Sequence, residues 1–472
     1  MASFSSISPQ STLHPSLTLA PSTRTPTLSS PLPPHTTAAS IPLLSTLSAQ
    51  SLITSLPSYA SFSTFAAAVS DDDILALFIS HVLHGTPTDT VALFHQPFLR
   101  NFPATYDSPV FFSPGTAPHT AIKSTLAGSL SSRLQLQISS DHSRLSSLLL
   151  QFSSLSPSSP SSCLPTPEEF TLESYLTALF GIYSRGADIR LEVEGGSDRR
   201  RLLVPGESER LGEGGGRGVA LVFAYTAFCS ALCSFFLLFF LLLLTQLSSV
   251  LDMLNHSPTS SVSHAFNSGT LSVDVLTGSS PTPPGPLLLN YGPIPNCKLL
   301  LFYGFALPGN PHDHAEVFVP LSPDLPLRAR KVALMSRCHA ETFSDGAPSR
   351  ILPGGEIPAD LLSLLRLLPV TDEGEMAAIE AAATASSGVP AVSAANELGA
   401  LSALEAALQG MSQAIAVDLL EAAELEKAEG TSEVGEHCKV YAEAELQMLS
   451  ECLGKVRERL EEEASKSIED CD

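Results

Sequence analysis

Residues 252–313 constrain this chain most. The stretch opens Asp252-Met253-Leu254-Asn255-His256-Ser257 and runs on through Asn290-Tyr291-Gly292-Pro293-Ile294-Pro295-Asn296. It closes with Leu299-Leu300-Leu301-Phe302-Tyr303-Gly304-Phe305 and Asn310-Pro311-His312-Asp313. An isolated Asn-His pair is most simply two polar residues satisfied inside a core, since buried polar groups are hydrogen-bonded. Tyr291 and Tyr303 lie in apolar runs of β-type composition, where each can be a core aromatic with a partnered hydroxyl. Gly292 and Gly304 each follow a Tyr, which predicts turns or close backbone approach. On residue chemistry alone the region is a β-rich globular one with a polar cleft.

Taken together, these residues resemble the C-terminal half of a SET domain. The branch they are most similar to holds the plant Rubisco large-subunit lysine methyltransferases and the actin-histidine methyltransferase. There a D-x-x-N-H-S box is followed by Y-G-x-x-x-N-x-x-L-L-x-x-Y-G-F and then N-x-x-D, and every anchor stands here in that order. The resemblance implies an α+β fold: a β-rich SET domain with an inserted helical subdomain, followed by an all-α C-terminal lobe. It also implies S-adenosyl-L-methionine as methyl donor and a protein side-chain nitrogen, lysine in the first place, as acceptor. By resemblance Asn255 and His256 hold the cofactor and Phe305 packs near its adenine. Tyr291 is the catalytic tyrosine and also touches the acceptor, Tyr303 lines the acceptor channel, and Asp252 orients the acceptor nitrogen.

A lysine acceptor must be neutral to carry a lone pair, yet its reference pKa is about 10.4. A narrow apolar channel beside a cationic sulfonium favours deprotonation through desolvation and like charge. The enzyme's task is then to position the reactants and manage charge.

The 472 residues suffice for two or three domains. A formal net charge of −23 argues against nucleic acid as a direct partner, because such a partner needs a basic footprint. It fits a protein partner; the resemblance suggests the Rubisco large subunit or another plastid or cytosolic protein. The eight Cys form no CxxC pair and are expected to be reduced thiols. His312 and His314 flank Asp313, but they fall on the family's loop after Y-G-F, so no metal site is expected.

Residues 1–70 contain no Asp or Glu and one basic residue besides histidine, Arg24. Rich in Ser, Thr, Pro, Leu and Ala, they read as a disordered leader. An acid-free, Ser-rich leader poor in Arg is also the composition of a plastid transit peptide, with a cytoplasmic or nuclear protein as the alternative. The Ile41-Pro42 to Ser55 end can already belong to the fold, since relatives carry a similar I-P run. The family's Gly-rich opening strand pair, whose backbone grips the cofactor, is not found before residue 71.

Residues 71–183 read as the inserted helical part. Asp71-Asp72-Asp73 ahead of Ile74–Ile79 predicts an N-capped amphipathic helix. Phe170-Thr171 leading to Ser184-Arg185 resembles the family's F-T helix ending in S-R, whose Arg serves cofactor and acceptor alike. Arg185 is therefore a candidate for both roles; the plain alternative is a surface cation at a helix C-terminus.

Residues 184–315 read as the C-terminal half of the SET domain, with an atypical insertion over 187–251. It contains Val219–Leu244, apolar enough to span a bilayer. Three readings stand: a membrane span, a buried apolar insertion, or translated intron, because Phe, Leu and Ser codons can encode a polypyrimidine tract. A span would separate Arg185 from Asp252, which must share a pocket, so a membrane partner is disfavoured.

Residues 316–472 read as a helical substrate-binding domain of the Rubisco-methyltransferase type. Val317–Leu327 and Arg328–Met335 suggest short strands or turns. Pro358–Leu368, Asn396–Leu420 and Val440–Glu463 read as helices. Lys331 and Arg366 also sit where relatives place such residues. About half the acidic residues follow residue 370, giving either a solvated face or a dock for a basic protein patch.

Overall fold

The leader is not structureless. In a computed structural model, residues 13–19, 26–42, 47–66, 69–100, 102–103, 105–155, 164–185, 187–193, 196–202, 254–270, 272–339, 346–383 and 388–469 are described. Within residues 1–70, Leu17–Leu19 (β1), Pro26–Leu28 (β2) and Thr37–Pro42 (β3) are strands, and Ala49–Ser55 and Pro57–Phe65 are helices. The averaged composition of seventy residues hid the local pattern. Ala38, Ala39 and Ile41 are buried, and the hydroxyl of Ser40 donates to the buried Asp274 carboxylate at 2.5 Å. The expectation of a disordered leader over 1–70 is therefore corrected for its described residues.

A strand pair does precede residue 71. β1 and β2 are antiparallel, and β2 also pairs with Gly285–Pro286 (β8). The pair carries no glycine, the first glycine of the chain being Gly85, so the Gly-rich signature does not mark it. A second sheet has the order β3-β7-β6, with Ser263–Asn267 as β6 and Ser272–Leu276 as β7, all antiparallel. Ala187–Val193 (β4) and Gly196–Leu202 (β5) form a hairpin inside the expected insertion. Val219–Leu244 lies outside the described residues. No helix among the described residues is long and apolar enough to cross a membrane.

The helix Asp71–His84 starts as its sequence predicts, with one refinement. Ser70, not an aspartate, is the N-cap: its hydroxyl accepts the Asp73 N–H while Asp73 accepts the Ser70 N–H. Asp73 is itself buried, taking the Tyr175 hydroxyl at 2.7 Å and Arg144 at 3.0 Å. This ties the helix start to Leu126–Leu155, which carries Arg144, and to the F-T helix Leu172–Arg185, which carries Tyr175. Tyr59, Phe62, Phe78 and Phe180 complete the interior, each worth about 1.5–3 kcal/mol in burial.

The chain divides into two compact units that differ from the expected domains. One is Met1–Tyr106 with Leu136–Gly292; the other is Asp107–Gln135 with Pro293–Asp472. The expected helical part, 71–183, is thus shared between them. The reason is packing: Ala121, Ile122, Leu126 and Ala127 share a core with Cys297, Leu300, Cys438 and Tyr441. Glu445 accepts the Leu126 N–H at 3.0 Å, and the Tyr441 hydroxyl accepts that of Ala127 at 3.2 Å. These contacts satisfy two of the free amides at the start of that helix.

The second unit is mainly helical. Ala315–Pro320 (β9) pairs with Gly346–Ile351 (β10). Arg328–His339 is a helix, not the short strand or turn expected, because Lys331, Leu334, Met335 and Cys338 recur at helical spacing and are buried. Lys331 donates from Nζ to the Leu368 carbonyl at 3.0 Å, closing the C-terminus of Ala359–Leu367. Two long helices, Ala394–Glu429 and Glu433–Glu469, pack on each other through Leu401, Leu404, Leu408, Leu449, Cys452 and Val456.

Candidate functional site

The first unit brings Asn255, His256 and Tyr291 together through backbone pairing. Leu289 donates its N–H to the Asn255 carbonyl at 2.9 Å, and Ser257 donates to the Leu289 carbonyl at 3.0 Å. His256 and Leu289 form a parallel bridge. Leu254, Leu287 and Leu289 are fully buried and anchor this crossing. The Tyr291 hydroxyl donates to the Leu254 carbonyl at 2.7 Å, and the Tyr291 N–H donates to His256 Nδ1 at 3.1 Å. The two rings lie 4.9 Å apart at 37°.

Accepting at Nδ1 fixes His256 as the neutral tautomer with its proton on Nε2. Burial also lowers its pKa from the usual imidazole value, with the Leu289 carbonyl pulling the other way. A depressed histidine pKa means that the unfolded chain binds more protons, so stability rises with pH. This contribution is whole above about pH 6.5 and is lost as pH falls through the folded value. In an NMR titration His256 is expected to titrate below 6.5; a midpoint at or above that value would contradict the lowering by burial.

Asn255 is exposed and its side-chain amide has no hydrogen-bond partner among the described residues. The support beneath the site includes residues that the motif reading missed. Asn290 accepts the Gly292 N–H at 2.8 Å and donates to the Pro258 carbonyl at 3.3 Å. Ser260 donates to the Leu288 carbonyl at 2.7 Å. Gly292, at φ 99°, supplies the left-handed backbone that this turn needs. The Asn-x-Gly spacing was the available signal.

Tyr303 and Phe305 belong to the second unit, on either side of Gly304. Asn296–Tyr303 is a helix whose cap, Gly304, is left-handed at φ 78°; a Cβ there would meet the Asp107 carbonyl oxygen at 2.6 Å. Tyr303 and Phe305 are half-buried with ring centres 6.3 Å apart, and Phe305 lies 6.3 Å from the His437 ring. Asp313 accepts the Asn296 N–H at 2.6 Å and its side-chain amide at 2.7 Å, which places a carboxylate at the helix start. Burial raises its pKa and these two bonds oppose the rise. Both its oxygens are thus engaged in holding the loop.

Arg185 is the last residue of its helix, and its side chain lies outside the described residues, as does Asp252.

Among solved structures, the SET domain of LSMT bound to lysine and AdoHcy superposes with a TM-score of 0.68, over 95% of this chain and 87% of that one, at 14% identity. Rubisco LSMT bound to sinefungin and monomethyllysine gives 0.63 over 95% and 88%, also at 14%. The chain has a SET-domain fold. Within sequence, a ribosomal lysine N-methyltransferase of Schizosaccharomyces pombe, set10, is 34% identical over 119 residues, 25% of this chain and 21% of that protein. SET domain-containing protein 4 of Mus musculus is 40% identical over 79 residues, 17% of each. The matched stretches span about a fifth or less of these relatives. No protein-family model matches the chain. The SET fold accounts for the small sheets, and the α+β class with a helical C-terminal region stands as expected.

Proposed function

We propose that the chain is an S-adenosyl-L-methionine-dependent protein methyltransferase, with lysine as the acceptor. The observation that carries this is the state of the Tyr291 hydroxyl. It gives its proton to the Leu254 carbonyl, so toward any further partner its oxygen can only accept, beside a neutral imidazole. Such an oxygen can hold an amine N–H while leaving the nitrogen lone pair free. S-Adenosylmethionine, when bound, supplies a methyl group on a cationic sulfonium. The exposed Asn255 amide and the neutral His256 fit a polar, charged ligand of that kind. Asn255 would bind, His256 would hold Tyr291 in place through its backbone N–H, and Tyr291 would orient the acceptor. Tyr303 and Phe305, from the Y-G-F motif, would line the acceptor channel and the adenine side. Arg185 and Asp252 complete the proposed set by resemblance. The solved relatives support this reading through what they hold: AdoMet in one, lysine with AdoHcy in another.

Calorimetry with S-adenosylmethionine tests the proposal. The native protein should bind, and Asn255→Ala should bind about tenfold more weakly, near 1.4 kcal/mol. A folded native protein that binds none sinks the enzyme reading. It would leave a SET-like module that binds protein without catalysis, which the glycine-free β1–β2 pair favours.

The helical C-terminal region is proposed to dock the protein substrate, with the acidic face toward a basic patch. The Rubisco large subunit is one such candidate. Plastid import is proposed from leader composition; Leu13 bridges to Ala39 and the His14 N–H donates to the Ala38 carbonyl, so a cleaved leader that spares the described fold would end ahead of Leu13. A fluorescent reporter carrying residues 1–66 should enter plastids. A diffuse cytosolic signal removes the localisation and leaves methyl transfer untouched.

A further inference from the structure

Within the second unit, a cleft of about 130 Å³ opens among the turn Pro109–Phe111, the helix Ala117–Ile122 and the first turns of Leu126–Leu155. One side is apolar: Phe112, Pro114 and Ile122. The other carries donors. Ser131 lines this side, and its hydroxyl, which has no hydrogen-bond partner among the described residues, keeps access to solvent. The same holds for the half-buried imidazole of His119. Lys123 stands one helical turn from His119; its side chain is 59% exposed, and its ammonium is 3.7 Å from Asp418. The second Asp418 oxygen takes the Ser124 N–H at 2.8 Å. Among the described residues that line the cleft there is no carboxylate.

Here three donors of different kinds face one space against an apolar wall. The volume equals about four waters at ~30 Å³ each. We infer that the cleft binds a carboxylate on a short aliphatic stem of one to three carbons. The carboxylate would accept from Ser131, His119 and Lys123, and the stem would lie on Phe112 and Pro114. A phosphate fits less well, because a single lysine and no arginine line the cleft and one of its sides is apolar. The carboxylate has two sources, a free short-chain acid or the glutamate side chain of a docked protein. This site stands apart from the methyl-transfer reading and does not depend on it.

Saturation-transfer NMR on the full chain, titrated with propionate at neutral pH, is the test. Saturable binding is expected in the millimolar range, about 1–10 mM. Ser131→Ala and Lys123→Gln should each weaken it about tenfold, with circular dichroism and melting unchanged. Lys123→Gln alters a largely exposed side chain, so it stays informative if Ser131→Ala destabilises the fold. N-acetylglutamate amide separates the sources: binding by both ligands indicates a docked glutamate, and binding by propionate alone a free acid. No saturable binding of either ligand to the folded native protein overturns the inference. So does equal affinity in both variants.

Discussion

Glu397→Ala should cost about 3–5 kcal/mol of stability, the usual result of removing one partner from a buried ion pair. Glu397 is 3% exposed. It accepts from Arg366 through Nε at 2.5 Å and Nη2 at 2.8 Å, and from Arg459 at 2.7 Å. Arg366 in turn donates to the Val389 carbonyl at 2.7 Å, while its own carbonyl takes the Asn396 amide at 3.0 Å. The carboxylate therefore joins helices 359–367, 394–429 and 433–469 at one point. Truncating it leaves the Arg366 guanidinium charged and only 11% exposed, with no counter-charge. Exposed pairs such as Lys427–Glu424 are worth ~1 kcal/mol or less, so the contrast between sites is itself measurable. Burial pushes the Glu397 pKa up, but the two arginines outweigh it and hold the carboxyl below its usual value. A depressed carboxyl gives stability that is present above the unfolded value and is lost as pH falls through the folded one. Urea unfolding should thus show a large loss at pH 7 and a shallower acid dependence in the variant. A loss under about 1 kcal/mol would mean that the cluster is solvated rather than buried.

What could be read beforehand was local. Asp71–Asp73 before an apolar run, and the Pro358–Leu368 run, each carry their signal within one or two turns, and both became helices. Gly292 and Gly304 after tyrosines predicted special backbone, and both have positive φ. The unread parts depend on partners far away in sequence. β3 is a strand because β7 lies beside it, more than two hundred residues on, and nothing in Thr37–Pro42 names that partner. Residues 107–135 pack with the C-terminal helices because Glu445 and Tyr441 meet the start of one helix. The site was read from a motif, and the motif named ligand-facing positions. It was silent on Ser260, Asn290 and the Leu289 bridge, which hold those positions by hydrogen bonds to the main chain. Backbone acceptors leave little trace in residue identity.

Tyr291→Phe is expected to slow methyl transfer about 10²-fold, near 2.7 kcal/mol of activation free energy. The phenol is almost buried at 7% exposure, and the bonds that fix it include Oη to the Leu254 carbonyl and the main-chain N–H to His256. Removing the oxygen leaves the ring held by its packing and by the His256 contact, since neither involves Oη. The stability loss should be about 1 kcal/mol, one neutral hydrogen bond. In the proposed role of Tyr291 the rate loss should be larger, because a nitrogen nucleophile without that acceptor oxygen would no longer sit in line, and small misplacements of reacting groups cost of order 10²-fold. Tyr303→Phe acts on another property, the room available to the acceptor, so it should change the number of methyl groups added more than the first-transfer rate. Single-turnover transfer to a protein acceptor, with cofactor affinity measured in parallel, separates the cases. Wild-type rates for Tyr291→Phe with cofactor binding intact would show that the hydroxyl serves only to hold Leu254. Equal losses in rate and in cofactor affinity would place Tyr291 with Asn255 as a binding residue.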